Sequence, residues 1–218
     1  MTSLRSKTIQ SGNCLLRTYV RGEVVVVYKT KEDFGGLSNM ASGYPLQING
    51  VRILTTEALY QACRFPYLPN IQREIISQHS PMTAKMKSKP HRKNSRPDWD
   101  EVRHKIMRWC LRVKLAQNYE KFAYLLLATH DRPIVEQSYK DDYWGAKLAD
   151  ETGEVLIGQN VLGRLLMELR ENLKEDSDGT LKTVPALGIP DFFLLGTPIE
   201  TVTTHTSSHD QKEQPALF

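Results

Sequence analysis

The sequence predicts an α+β fold, mainly α, built as a single compact domain of several helices with a few short strands. Length and composition point there first: 218 residues, 40% of them apolar, fill one sizeable core and do not require a second domain. Helical periodicity then dominates the second half of the chain, with apolar residues recurring at helical spacing over 100–118 and again over 161–174. Strand signals are short and few, the clearest being the four valines and a tyrosine at 24–28.

Residues 1–22 are polar and irregular and read as an N-terminal extension. The valine run at 24–28 is a buried strand, and DFGGLSN at 33–39 is a glycine-rich turn. Asn49-Gly50 centres a hairpin over 47–54, because both residues tolerate the positive φ of a two-residue hairpin turn. Thr55 and Thr56 offer N-caps for a helix running to Phe65, and Pro66 and Pro69 end it. Short helices are expected at 71–78 and 82–86, the second entered through Pro81. Residues 85–96, KMKSKPHRKNSR, are the most basic stretch, and Pro90 and Pro97 argue for a loop. It is either a solvated charged loop or an edge that contacts phosphate.

The longest helix is expected from Asp100 to Asn118, with Val102, Ile106, Cys110 and Val113 on one face, and helix continues over 119–128. Residues 134–137 and 154–157 read as short strands. Gly158-Gln159-Asn160 breaks the second and starts a helix to Lys174 that buries Val161, Leu162, Leu165, Leu169 and Leu173. The apolar patch at 192–195 is expected to dock on the domain. Beyond Pro198 the chain lacks the apolar surface to offset ordering entropy. The expected divisions are an extension at 1–22, a domain at 23–175, a docking extension at 176–197 and a disordered tail at 198–218.

Several functional classes are disfavoured. Cys14, Cys63 and Cys110 are too few and scattered for a disulfide framework, and no CxxC pair or HExxH helix is present, so no metal site and no cofactor are expected. The first residues lack the apolar core of a leader peptide, and the longest apolar runs are too short to cross a bilayer. A cytoplasmic location without membrane partners is the expectation. A net charge of +4 permits an anionic ligand without requiring one.

Chemistry concentrates in IVEQSYKDDYWGAK at 134–147. Three carboxylates (Glu136, Asp141, Asp142) precede two aromatics (Tyr143, Trp144) and Gly145. Acids beside a stacking surface and a glycine suit a pocket for a flat polar ligand; a surface turn with solvated acids is the competing account. Glu57, Gln61 and Arg64 share one helical face, where a first-turn carboxylate can equally serve as a dipole device. Ser38 and Asn39 sit in the glycine turn, where Asn39 either binds a ribose hydroxyl or closes an Asx-turn. Asp98-Trp99-Asp100 supplies an N-cap, and Trp99 either staples the helix or stacks on a base. The helix start at Asn160, with Arg164 in its first turn, is a ready anion site, with a structural N-cap as the alternative.

Together these blocks resemble a known family. GGLSN (35–39), TTEALYQACRF (55–65), SPMTAK (80–85), RPDWDEVRHKIM (96–107), LRVKLAQN (111–118), LLATHDRPIVEQSYKDDYWG (126–145) and GQNVLGRLLMELR (158–170) resemble successive blocks of the NADAR family over roughly residues 23–173. The resemblance implies an N-glycosidase. Family members cleave ribosylated pyrimidine intermediates of riboflavin synthesis or remove ADP-ribose from guanine in DNA, opposing DNA-modifying ADP-ribosyltransferase toxins. It places the family's acid on Glu57 with Gln61 after it, its lysine on Lys85, its D-x-x-W-G on Asp141, Trp144 and Gly145, and its helix-start asparagine on Asn160. Two departures bear on substrate choice: Ala58 stands where members often carry histidine, and Lys147 where they often carry glycine.

The expected catalytic set is Glu57 as proton shuttle, Lys85 as a desolvated amine able to form a Schiff base, and Asp141 on the sugar hydroxyls or holding the other two in register. Substrate contacts are expected from Ser38, Asn39, Gln61, Trp99, Trp144 and Gly145, with Asn160 taking the diphosphate. The expected partner is ADP-ribosylated DNA, presented single-stranded or with guanine flipped, and the expected role is antitoxin to an opposed transferase. A riboflavin-intermediate glycosidase is the alternative, and a non-catalytic ADP-ribose- or NAD-binding module is the alternative of another class.

Overall fold

The computed structural model describes residues 8–11, 14–149 and 151–204. The chain enters through two antiparallel strands, β1 (Thr8–Ser11) and β2 (Cys14–Val20), followed by β3 (Val25–Val27). A hairpin joins β4 (Leu46–Ile48) to β5 (Val51–Ile53). Asn49 has φ 48° and Gly50 φ 76° at its tip, the paired positive values of a type I′ turn. Three short helices follow, α1 (Thr56–Ala62), α2 (Pro69–Ile76) and α3 (Pro81–Ser88). The Thr55 hydroxyl caps α1 by accepting from the Ala58 N–H at 3.2 Å, and prolines open the other two.

A 3-10 segment, Lys89–Asn94, leads to α4 (Trp99–Gln117) and α5 (Tyr119–Leu127). Then come β6 (Ile134–Glu136), β7 (Lys147–Leu148), β8 (Val155–Gly158) and α6 (Val161–Glu175). Four two-residue strands finish the described chain: β9 (Thr183–Val184), β10 (Phe193–Leu194), β11 (Thr197–Pro198) and β12 (Val202–Thr203).

Two pairings position the site. The valine strand β3 lies parallel to β6, with Val25 opposite Ile134 and Val27 opposite Glu136, so the chain after Pro133 is locked beside the glycine turn that follows β3. The second is an antiparallel sheet in the order β1-β2-β8-β7, which carries β8 into α6. Helix α4 is the central pillar and packs on α1, α5, α6 and the β9–β12 pair. Its stripe of Val102, Ile106, Cys110 and Val113 is buried as the periodicity predicts. Burying each side chain of that size stabilises the fold by about 1.5–3 kcal/mol.

On the same helix Lys114 is wholly buried. Its ammonium donates to the carbonyls of Gly36 at 2.6 Å and Ser38 at 3.0 Å and lies 4.2 Å from the Tyr44 ring centroid. A buried lysine, its pKa pushed well below the usual value by burial, thus ties the glycine turn to α4, with carbonyls and a ring face in place of water.

Three expectations change. Part of the supposed irregular extension, β2, pairs with β8 in full register from Arg17 opposite Gly158 to Val20 opposite Val155, while residues 1–7 lie outside the described residues. The basic stretch is helix and 3-10 segment rather than loop, because prolines are tolerated at the first positions of such turns. Arg96 is not a surface cation: it is buried, paired with Asp98 at 2.6 Å, and donates to the Pro190 carbonyl at 2.7 Å. The expected tail is ordered through Thr204, where buried Ile199 and Val202 and the β9–β12 pairing hold it; residues 205–218 lie outside the described residues. No described helix is long and apolar enough to cross a membrane.

Candidate active site

A cavity of about 460 Å³ opens among α1, α3, the start of α4 and the segment running on from β6. Helix α1 presents Glu57, Tyr60 and Gln61 to it at the spacing that puts side chains on one face, and Arg64, just past the end of the helix, joins them. Lys85 enters from α3, and Glu136, Asp141, Trp144 and Gly145 enter from the chain beyond Pro133. Glu57, Lys85 and Asp141, far apart in sequence, therefore share one hollow.

Glu57 is buried and held at both oxygens. Asn39 Nδ2 donates to one at 2.8 Å and Gln61 Nε2 to the other at 2.8 Å, while the Ser88 hydroxyl donates to Gln61 Oε1 at 2.7 Å and fixes that amide. The Glu57 N–H also donates to the Asn39 carbonyl at 3.2 Å. The glycine turn and α1 thus meet through this carboxylate, which has little freedom to rotate. Asn39 keeps a buried Oδ1 with no hydrogen-bond partner among the described residues, an acceptor at the cavity wall.

Glu136 behaves differently. Part of its surface reaches the cavity, but the protein surrounds its carboxyl enough that burial, assisted by the negative charges of Glu57 and Asp141, pushes its pKa from 4.5 up to about 7. Lys85 and the Ser38 hydroxyl pull the other way. Two carboxylates with unlike surroundings therefore face one cavity, the arrangement that lets one keep a proton near neutral pH.

Asp141 has one oxygen committed to its own turn, where Oδ1 accepts from the N–H groups of Tyr143 at 3.0 Å and Trp144 at 2.8 Å. Gly145 follows because the backbone must touch: a Cβ there would overlap the Glu136 carbonyl oxygen, to which Ala146 N donates at 2.8 Å. Tyr60 stands between the two tryptophans, its ring centroid 5.2 Å from that of Trp99 and 5.6 Å from that of Trp144, and these rings form the apolar wall. Lys85 is exposed at the rim, so the desolvation expected of it is not provided by the fold.

Two expected contacts lie elsewhere. Ser38 is buried behind the lining; its hydroxyl accepts from Met40 N at 3.1 Å and hydrogen-bonds the Glu136 carboxyl. Asn160 does not take a diphosphate. It is wholly buried at φ 50°, accepts from Glu136 N at 3.0 Å and donates to the Ile134 carbonyl at 2.8 Å, which clamps β6 to α6. The anion site expected at the α6 start is already filled by backbone, since the N–H groups of Asn160, Val161 and Leu162 donate to Gly145, Tyr143 and Trp144 carbonyls at 2.9–3.1 Å. Arg164 is exposed.

Glu136 stood among the pocket carboxylates of 134–147 without a role of its own, and Tyr60 and Arg103 are cavity residues that the sequence did not single out. Each left a signal. Glu136 sits two residues from Ile134 on a strand, hence on the same face as a core residue. Tyr60 on α1 lies four residues before Arg64, and Trp99 and Arg103 are four apart on α4.

Carboxylates in contrasting surroundings beside a lysine and an aromatic wall equip an acid–base enzyme that acts on a polar ring. The chain belongs to the NADAR family, whose domain matches residues 26–174. It is similar to the N-glycosidase YbiA of Escherichia coli, 38% identical over 151 residues that make up 69% of this chain and 88% of YbiA. It is also similar to a riboflavin biosynthesis protein of Vibrio vulnificus, 32% identical over 73% of this chain and 41% of that protein. An N-glycosidase of Nostoc punctiforme is 30% identical over 69% of this chain and 92% of its own length. The NMR structure of E. coli YbiA matches with a TM-score of 0.58 and 33% identity, over 72% of this chain and 91% of YbiA. The α+β fold is thus a family fold, and N-glycosidase is the class in which named relatives fall.

Proposed function

We propose that this chain is an N-glycosidase that removes ADP-ribose from guanine bases in DNA. The observation that carries the reading is the convergence of Glu57, Glu136, Asp141 and Lys85 on one aromatic-walled cavity. The bond to be cut joins the sugar C1 to an exocyclic amine. Glu136, protonated in part of the population at neutral pH, gives its proton to the departing nitrogen as the C1–N bond breaks. Glu57, fixed by two amides, faces the positive charge that develops at C1 and takes a proton from the incoming water, whose oxygen bonds to C1. The products are the free base amine and ADP-ribose, and proton exchange with solvent resets both acids. Asp141 and Asn39 Oδ1 offer acceptors to sugar hydroxyls.

A second route uses the same groups. The amine nitrogen expels the ring oxygen to give an imine, the Lys85 amine displaces the base amine as a Schiff base, and water releases the sugar. Borohydride added during turnover reduces and traps a sugar on Lys85 if this route is followed and leaves the lysine unmodified if it is not.

The DNA substrate is supported by cations at and beyond the rim. Lys85 and Arg92 line the cavity, and exposed Lys89 and Lys93 extend the positive edge for a phosphodiester backbone. The base must be flipped or single-stranded to enter. This activity would reverse the work of a DNA-modifying ADP-ribosyltransferase toxin. A second reading, cleavage of ribosylaminopyrimidine intermediates of riboflavin synthesis, is favoured by relatives named for that pathway in Vibrio vulnificus and Zea mays. The deciding experiment sets guanine-ADP-ribosylated single-stranded DNA beside the pyrimidine intermediate. Release of ADP-ribose from the DNA is expected, and its loss in Glu57→Ala; turnover of the pyrimidine alone would overturn the reading.

A further inference from the structure

The bond-breaking steps use the acidic end of the cavity and none of its three arginines. Arg64 follows α1, Arg92 sits in the 3-10 segment and Arg103 is on α4, yet all three line the same hollow. The Arg64 guanidinium lies 4.4 Å from the Trp99 ring centroid and that of Arg103 lies 3.8 Å from Tyr143. Stacking on a ring fixes the guanidinium plane while leaving its N–H edge free for oxygen acceptors.

Three arginines outside the cavity are tightly paired: Arg96 with Asp98 at 2.6 Å, Arg108 with Glu168 at 2.8 Å and Arg170 with Glu171 at 2.8 Å. In the cavity Arg103 meets Asp100 only at 3.6 Å, on a side chain 87% exposed. Arg64 and Arg103 each bury an Nε that has no hydrogen-bond partner among the described residues, as Arg112 does outside the cavity; what sets the first two apart is that both line the hollow and stack on its rings. The charges of Arg92 and Arg103 both act against that of the half-buried Arg64. Gathering such cations without matching acids is unfavourable, and an anion with several acceptor oxygens offsets it. The cavity is also polarised. Glu136 responds to Glu57, Lys85 and Asp141, whereas Tyr60, midway, responds to Glu57 on one side and to Arg64 and Arg103 on the other.

We infer that Arg64, Arg92 and Arg103 form a phosphate subsite that holds the 5′-phosphate or diphosphate of a ribosyl substrate while its C1 reaches Glu57 and Glu136. C1 is one of the two ring carbons that flank the furanose oxygen and the other carries the 5′-carbon, so a ribosyl ligand offers a reacting carbon and a phosphate to one cavity that holds both sets of residues. The subsite takes over the role expected of the α6 start. The C1 half rests on the glycosidase reading; the phosphate half is measured by binding alone.

Calorimetry on the full chain tests it with four probes: ADP-ribose, ribose 5-phosphate, ribose, and an unmodified single-stranded oligonucleotide. Both phosphate-bearing sugars should bind and ribose should not. R64Q, R92Q and R103Q should each weaken the phosphate-bearing sugars about ten-fold or more, the scale of a lost charged hydrogen bond. R108Q, which removes an equal charge from the surface, should change them less than about two-fold. In turnover KM should rise while kcat holds. Arg92 is exposed and unstacked, so R92Q keeps the test open should R64Q unfold. Equal sugar binding by wild type, R92Q and R103Q overturns the subsite, as does an equal loss in R108Q or a loss confined to the oligonucleotide. If the substrate reading alone fails, ADP-ribosylated DNA is not cleaved but arginine-dependent binding of ribose 5-phosphate persists; if the subsite alone fails, cleavage continues in the variants with unchanged KM.

Discussion

Replacing Glu136 by glutamine keeps the shape and removes the proton equilibrium. Folding moves this carboxyl from an ordinary 4.5 to about 7. The folded chain therefore holds the proton more tightly than the unfolded chain. The associated stability is complete below the unfolded value and is lost as pH rises from about 4.5 through about 7. At about 1.4 kcal/mol for each pH unit between the two values, the loss is about 3 kcal/mol. Urea unfolding of wild type and Glu136→Gln should thus give curves whose separation is smallest near pH 4 and shifts by about 3 kcal/mol in favour of the glutamine variant by pH 8. The same group should appear in kcat/KM as a fall in activity above about pH 7, and Glu136→Gln should lose that limb along with most of the rate. A stability difference independent of pH between 4 and 8 would show that Glu136 titrates normally and would remove it as the proton donor.

Lys114→Met should cost about 1–3 kcal/mol, because the Gly36 and Ser38 carbonyls lose a buried donor, and should lower kcat as Asn39 slips from Glu57; chemical denaturation and steady-state kinetics check both. Asn160→Ala should cost a similar amount at its two bridging hydrogen bonds and carries the further strain of alanine at φ 50°. Asn160→Gly relieves only the strain, and in both variants KM should stay unchanged, since a smaller folded fraction lowers the apparent kcat alone. Gly145→Ala should destabilise by about 1–3 kcal/mol as its Cβ displaces the Glu136 carbonyl, seen as a Tm lower by about 2–4 °C per kcal/mol.

The helices of this fold were legible because each buries a stripe at its own period. The α4 face of Val102, Ile106, Cys110 and Val113 is one example, and the Asn49-Gly50 turn is as local a signal for its hairpin. What stayed hidden is what only distant pairing creates. The strand at Cys14–Val20, CLLRTYV, carries apolar residues but directly follows a polar run, and only its pairing with β8 makes it part of the sheet; the chain is ordered through Thr204 because Val202 finds Val184. At the site, the Glu57–Gln61–Arg64 face could be read from spacing alone. The unequal surroundings of Glu57 and Glu136 could not, since they depend on which amides and acids the fold brings near each carboxyl. Asn160 looked like an open helix start because nothing local reveals that carbonyls from the Tyr143–Gly145 corner fill it.

The strand β2 has a practical consequence for anyone shortening the chain. The family match begins at residue 26 and stops at 174, but trimming to those limits strips Tyr19 and Val24 from Leu156, Val135 and Ala146, and bares the backbone edge of β8. At the other end it takes away Phe192, whose ring packs 4.9 Å from that of Trp109, and the Pro185 carbonyl that accepts from the indole. What sequence comparison delimits as the domain is therefore smaller than what folds, and the excised piece should self-associate through its open strand.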